Sequence, residues 1–440
     1  MALTGSRTFV GFGFGPIQSG LFLYEAFRSG NFRRLVVGEV LPDVVEVIRQ
    51  AQGWYSVNVA HSDRVEIAPV GPVEIEDPAV EADRERLVAA VAEAEEIATA
   101  VPSVNFYVSS SPGSIHRLLA AGLRRKAADG GARAVVYAAE NHNHAAEILE
   151  ARVLEEIPPG EHNAVRACVR FLNTVIGKMS GVISDLQEVN ALGLARFTSQ
   201  DQRAFLVEVF NRILVSQICF EEAIGEPHFR RGITAFEEKA DLLPFEEAKL
   251  YGHNATHALA AYLGALRGVQ RIADLRNFPD IFRFLRAAFL GESGEALIRK
   301  HAGKDQLFTA EGYREYADDL LGRMTNPYLR DTVERVGRDP QRKLGWDDRL
   351  VGTVRVALQQ GLVPRRYALG VGAALAVLDR SFLSGGKPAA ALLEPLWGSI
   401  SAERREKELV FNLVEDARRR LRRWCASEFQ DLESSFAQDI

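Results

Sequence analysis

The chain begins with a short apolar run, TFVGF at 8 to 12, then a glycine-rich turn, then a stretch from Ile17 to Phe27 whose apolar positions recur at helical spacing. That order predicts a strand, a tight turn and a helix. A second apolar run, LVVGEV at 35 to 40, predicts another strand, and EAEEIATAV at 93 to 101 reads as a strand ending in Thr99, Ala100 and Val101. A long basic helix pattern at 115 to 131 leads into ARAVVYAAEN at 132 to 141, again a strand. Apolar runs alternating with amphipathic helices predict an α/β, Rossmann-like domain built on a parallel sheet covered on both faces.

From about residue 200 the pattern changes. FLVEVFNRILVSQICFEEAI at 205 to 224, ALAAYLGALRGVQRIADL at 258 to 275, FRFLRAAFLGESGEALIRK at 282 to 300 and YREYADDLLGRM at 313 to 324 place apolar residues three and four apart. This predicts a mostly α-helical second domain, with turns at Gly225-Glu226-Pro227 and Asn326-Pro327. No internal repeat or low-complexity tract interrupts it, so the expectation is a compact bundle, with domains at 1–198 and 199–440. The segment 400 to 429 reads as a charged amphipathic helix whose basic run, Arg418 to Arg423, is a solvated face.

Composition narrows the class. A chain of 440 residues, 47% apolar, 25% charged and with a formal net charge of -6, is that of a globular protein of about two domains. Its charge suggests neither a nucleic acid nor an anionic membrane surface as partner. Cys168, Cys219 and Cys425 are far apart and lack CxxC spacing, which points to buried free thiols and a reducing compartment. The first residues, MALTGSRTFVGFGFG, lack the pattern of a signal peptide, and no run reaches the length of a membrane span, so a cytoplasmic protein is expected.

Gly11, Gly13, Gly15, Pro16 and Ile17 form the turn between the first strand and its helix. Glycines there let the backbone approach a pyrophosphate, and the helix start offers amide donors and a positive dipole. Glu39, at the end of the second strand, is placed to accept hydrogen bonds from a ribose and favours NAD over NADP. The turn departs from GxGxxG, since Gln18 stands in the third glycine's place and Gly20 follows two residues later.

The strongest chemical signal is PFEEAKLYGHNATHALAAYLG at 244 to 264, which sets Lys249, Asn254 and His257 in a helical sequence. At about 100° per residue, Asn254 falls about 140° and His257 about 80° around an α-helix from Lys249, close enough to share a cleft. A lysine neutralised by burial can take a proton from an alcohol, an asparagine amide can hold the oxyanion, and a histidine can orient or relay the proton.

This array and its flanks resemble the signature of the polyol-specific long-chain dehydrogenases, the family that includes mannitol 2-dehydrogenase and mannitol-1-phosphate 5-dehydrogenase. Other segments agree in order along the chain. GPIQSG at 15 to 20 resembles the family's glycine turn, Thr99 to Val101 its TAV run, AAEN at 138 to 141 its CEN run, and Phe171 to Lys178 its F-x-N-[ST]-x-V-D-R run. The run 320 to 350, with Arg323, Asn326, Pro327, Asp331, Arg335, Arg338, Arg342 and Lys343, resembles most closely the mannitol-1-phosphate branch.

The resemblance implies that Lys249 is the general base, that Asn254 and Asn173 bind the oxyanion and that His257 orients the substrate. It implies that Thr99, Val101 and Asn141 lie against the cofactor, and that no metal takes part. The implied reaction is NAD-dependent interconversion of a sugar-alcohol phosphate and a ketose phosphate, with Arg335, Arg338, Arg342 and Lys343 as a phosphate clamp. The same catalytic helix also suits an unphosphorylated polyol or a hexuronate, and a non-catalytic NAD-binding relative is the remaining alternative. Gly177 and Lys178 depart from the family's Asp and Arg, and His142, His144 and His253 are further departures without an assigned role.

Overall fold

The computed structural model describes residues 5–210, 212–221, 228–398, 404–430 and 432–433. The chain divides into two compact units, residues 1–242 and 243–440.

The first unit is built on twelve strands: β1 (Arg7–Phe12), β2 (Phe32–Gly38), β3 (Tyr55–Ala60), β4 (Val65–Val70), β5 (Glu74–Glu76), β6 (Glu96–Thr99), β7 (Ala134–Ala138), β8 (Val169–Ile176), β9 (Ser180–Ile183), β10 (Ala204–Glu208), β11 (Ile213–Ser216) and β12 (Phe236–Lys239). The larger sheet runs β12-β11-β8-β7-β6-β1-β2-β5. From β5 to β8 every pair is parallel, and the order, renumbered within those six, is 3-2-1-4-5-6, the doubly wound dinucleotide-binding arrangement. The chain reverses direction across the sheet between β1 and β6, and ligands of such sheets bind outside the carboxyl ends of the strands at that point.

One face is covered as expected by helices, with Leu87, Leu119, Leu123, Leu149 and Val153 packed on Val10, Ile97 and Val136. The other face differs. A second sheet, β4-β3-β10-β9, shares a core there with the helical segment after β1, joining Tyr55, Val57, Phe205 and Val207 to Phe9, Phe22 and Leu35.

The expected helix at 205 to 224 is therefore corrected: Ala204–Glu208 and Ile213–Ser216 are strands, and the turn at 225 to 227 lies outside the described residues. FLVEV and ILVS are rich in β-branched and aromatic residues, and their register is set by distant partners, β3 and β9 for one and β8 and β12 for the other. These strands carry the first unit to Leu242, beyond the boundary expected at 198/199.

The second unit is helical. Its most buried element is Arg365–Leu378, in which Tyr367, Leu369, Val371 and Leu375 are fully buried. Around it lie helices at 243–267, 279–300 and Ala310–Met324, together with Val351–Gln359, Ala389–Trp397 and Arg404–Ala426. Two of these change winding along their length: Ala248–Asn254 and Phe289–Gly294 are π-helical turns inside longer α-helices.

The cysteines are free, but Cys219 is exposed and Cys168 and Cys425 are half-buried, so none is the fully buried thiol expected. Among the described residues no helix is long and apolar enough to cross a membrane.

Candidate active site

In the first unit the glycine turn follows β1 directly. Gly13 has φ +84, a left-handed conformation, and a side chain there would begin 3.0 Å from the carbonyl oxygen of Ala100. Around Gly15 nothing lies within 4 Å of where a side chain would start, so its backbone is approachable. The missing third glycine is compensated on the strand. The Gln18 amide lies over Gly11, where a side chain would begin 2.1 Å from Gln18 Nε2. Pro16 and Ile17 lead into the π turn Gln18–Leu23.

Glu39, just past β2, accepts from Phe14 N at 2.6 Å and from Val40 N and Leu41 N at 2.8 Å. Its carboxylate thus ties the glycine turn to the end of β2. An open glycine backbone, a helix start and this acid suit a dinucleotide.

Beside them a buried carboxyl organises the ends of β6 and β7. Glu140 accepts from Thr99 Oγ1 at 2.9 Å, from Val101 N at 2.9 Å and from the Tyr107 hydroxyl. Burial raises its pKa above the ordinary carboxyl value, although these donors oppose the shift. Thr99 is fully buried with its hydroxyl turned to Glu140, so it supports the turn from behind, whereas Val101 is half-buried and Asn141 exposed.

Asn173 lies on β8, opposite Ala138 of β7. Its Oδ1 accepts from Ala146 N at 2.9 Å and its Nδ2 donates to Glu147 Oε2 at 2.8 Å, so it also caps the helix Ala145–Glu155. One N–H of the amide remains for a ligand. Lys178, which replaces an arginine of the resembled motif, is buried with its ammonium donating to the carbonyls of Glu208 and Phe210. It ties the end of β8 to the end of β10. His142 and His144 are exposed, and His144 N donates to His142 Nδ1 at 3.1 Å. Among the described residues no group of three or more His, Cys, Asp or Glu could hold a metal ion.

In the second unit, Lys249, Asn254 and His257 lie on one continuous helix, but not with the α-helical geometry expected. Ala255 N bonds Leu250 O, five residues back, and the winding from Ala248 to Asn254 is π. The wider π winding turns less per residue than an α-helix, so Asn254 lies closer round the axis to Lys249 than the about 140° of α winding. The α winding resumes at Ala255, two residues before His257.

Burial, followed by the charge of Arg349, lowers the Lys249 pKa from 10.5 to about 8, with Glu246 opposing. About a tenth of the lysine is therefore neutral at pH 7 and about half at pH 8, against a trace for an ordinary lysine, which is what a general base requires. His257 is lowered to about 3 by burial and by Arg335, Arg349 and Lys343, so its imidazole is neutral. His253, also buried, is held well below its ordinary value by burial and by Arg323. Two neutral imidazoles and a partly neutral lysine form a site that exchanges hydrogen bonds and one proton.

The four basic residues at 335 to 343 do not act as one group. Arg335 pairs with Asp331, which lies 3.7 Å from His257 Nε2. Arg342 pairs with Asp339 at 3.0 Å, and Arg338 is exposed. Lys343 is buried and donates to the Arg338 carbonyl, and burial lowers its pKa to about 8. Arg349, which was not singled out, is the cation that bears on Lys249, His253, His257 and Lys343 together. Its only sequence signal is its place in GWDDRL, just past the cluster. Glu140 has no local sequence signal of its own, because its donors, Thr99 and Val101 at the end of β6 and Tyr107 shortly after, lie 33 to 41 residues before it.

Residues 7–224 match the sequence family described as the mannitol dehydrogenase Rossmann domain, and residues 241–416 match the mannitol dehydrogenase C-terminal domain. The mannitol-1-phosphate 5-dehydrogenase of Bacillus licheniformis is 30% identical over 361 residues, which cover 79% of this chain and 86% of that protein. Among solved structures, a D-sorbitol dehydrogenase in substrate-free form superposes with a TM-score of 0.74 at 15% identity, over 98% of this chain and 95% of that one. A Pseudomonas fluorescens mannitol 2-dehydrogenase, in ternary complex with NAD and D-mannitol, gives 0.63 at 16% identity, over 100% and 92%. At those identities the two structures speak to the fold alone.

Proposed function

This chain belongs to the mannitol dehydrogenase family, and from that premise we propose that it interconverts a sugar-alcohol phosphate and a ketose phosphate, of the mannitol 1-phosphate and fructose 6-phosphate type, with NAD. The observation that carries the chemistry is Lys249, half-buried, its pKa lowered to about 8 by desolvation, in the same π turn as Asn254.

Lys249, in its neutral form, takes the proton of the reacting hydroxyl, and the Asn254 amide donates to the oxygen as its negative charge grows. Asn173, in the first unit, keeps one N–H of its amide for a ligand, which suits the oxyanion-binding part that the resemblance implies for it. His257, neutral because of burial and its cationic neighbours, orients the hydroxyl and carries no charge of its own. In the reverse direction protonated Lys249 returns the proton to the alkoxide. NAD, held by the turn Gly11 to Ile17 with Glu39, Val101 and Asn141, supplies the acceptor for hydride.

The phosphorylated substrate is supported by the likeness to the Bacillus licheniformis enzyme and by the cations around His257, namely Arg335, Arg349 and Lys343. A second reading, an unphosphorylated polyol or a hexuronate, is favoured by the internal partners of Arg342 and Lys343, which leave fewer cations for a phosphate.

Replacing Lys249 with alanine should lower turnover at least about a hundredfold while NADH binding persists. Near-normal turnover would remove Lys249 from the mechanism. An NADH-linked assay with fructose 6-phosphate, fructose and hexuronates decides between the two substrates: fructose reduced as efficiently as its phosphate overturns the first reading.

A further inference from the structure

A π turn is an uncommon winding and persists inside an α-helix only where its surroundings hold it. The turn Ala248–Asn254 is held on one side by close packing. A side chain at Gly252 would begin 2.6 Å from the Tyr313 hydroxyl and 2.8 Å from Phe289 Cε2, so only glycine fits between this turn and the second π turn, Phe289–Gly294. At its C-terminal end there is a polar hold. The Tyr367 hydroxyl lies 2.7 Å from Thr256 Oγ1 and 3.1 Å from Ser293 Oγ. Thr256 stands on the catalytic helix between Asn254 and His257, and Ser293 stands in the second π turn.

All three hydroxyl-bearing residues are buried, Thr256 and Tyr367 fully. Tyr367 is itself anchored, since its backbone N–H donates to Glu292 Oε2 at 2.9 Å, and Glu292 also accepts from Arg366 N at 2.8 Å. One phenol therefore joins the point where the catalytic helix returns to α winding to the neighbouring π turn.

We infer that Tyr367 is a positioning residue: its hydroxyl, held between Thr256 and Ser293, fixes the π winding that brings Asn254 round towards Lys249. Were that helix to relax to α winding, Asn254 would turn to about 140° from Lys249, and the proton acceptor and the oxyanion donor would no longer serve one oxygen. Tyr367 touches none of these groups and acts only through the helix register. The inference rests on the roles proposed for Lys249 and Asn254.

The test uses the full chain with Thr256→Val, Tyr367→Phe, the double variant, Thr256→Ser and Lys249→Ala. Each of the first two should lower kcat about tenfold or more, with NADH affinity unchanged and the polyol KM moving far less. The double variant should be no worse than either single one, because both remove the same link. Thr256→Ser, which keeps the hydroxyl, should retain parental kcat. Thr256→Val breaks the link from the other side and gives the same readout if Tyr367→Phe is unstable.

Parental kcat in the single variants, or losses that add in the double, overturns the inference. If Lys249→Ala turns over normally, the proposed function itself fails. If Lys249→Ala is inactive while Thr256→Val and Tyr367→Phe keep parental kcat, only the role of Tyr367 falls.

Discussion

The Asp331 carboxylate lies between His257 and Arg335: it is 3.7 Å from His257 Nε2 and ion-paired with Arg335. This one acid links the catalytic helix to the nearest member of the basic cluster. Of the four cations named from the sequence, Arg335 is therefore the one placed to report on a substrate phosphate. Arg335→Ala should raise the KM for mannitol 1-phosphate at least about tenfold, the loss of one charge-assisted phosphate contact, and leave the KM for mannitol nearly unchanged. Steady-state kinetics on both substrates check this, and an equal effect on the two would assign Arg335 to the polyol chain instead.

Burial, and after it the charge of Arg349, lowers the Lys249 pKa. With neutral Lys249 as the proposed base, polyol oxidation should rise with pH through about 8, and ketose reduction, which needs the protonated form, should fall over the same range. Arg349→Gln removes a like charge and should move both limbs to higher pH, though not to 10.5, because burial remains the larger cause. Profiles of kcat/KM against pH measure the shift, and an unmoved limb separates Arg349 from Lys249.

Glu140 should matter to the cofactor and not to the polyol. Glu140→Ala leaves Tyr107, Thr99 and Val101 without their shared acceptor, a loss of about 1–3 kcal/mol for each buried donor left unpaired. The expected result is a KM for NAD several-fold higher, a polyol KM close to parental and a lower Tm. Unchanged NAD kinetics would limit Glu140 to a structural part.

Glu292 predicts a pH dependence of stability that is independent of catalysis. Burial raises its pKa from 4.5 to about 7, even though it accepts from Arg366 N and Tyr367 N. A raised carboxyl in the folded state stabilises fully below about 4.5 and loses that contribution as pH rises to about 7, on the order of a few kcal/mol. Against Glu292→Gln, the parent's Tm should fall more steeply between pH 4.5 and 7, then run parallel. Thermal scans across that range show it, and curves parallel throughout would contradict it.

Much of this was legible in the chain. The α/β order before residue 141 and the helical pattern after residue 243 are local signals, because each apolar run must bury its own face. The triplet proposed as catalytic stood out for a similar reason, with three chemically distinct groups within nine residues of one helix. Strands β10 and β11 were misread as helix, since their pairing lies with residues far away in sequence and short apolar runs carry no unambiguous period. The basic cluster was legible as composition but not as a site. Asp339, Asp331 and the Arg338 carbonyl engage three of its four cations, and pairing of that kind depends on where the backbone turns.

The sequence by itself determined which groups are present and in what order: a glycine turn after the first strand, an acid after the second, and Lys249, Asn254 and His257 on a helix. Tertiary structure decided how those groups behave. It wound the helix as a π turn against Gly252's neighbours, which brings Asn254 round towards Lys249, and it brought Arg349 to bear on that lysine. A helix register and a proton affinity are set by packing and burial, which arise only when distant segments close around the same residues.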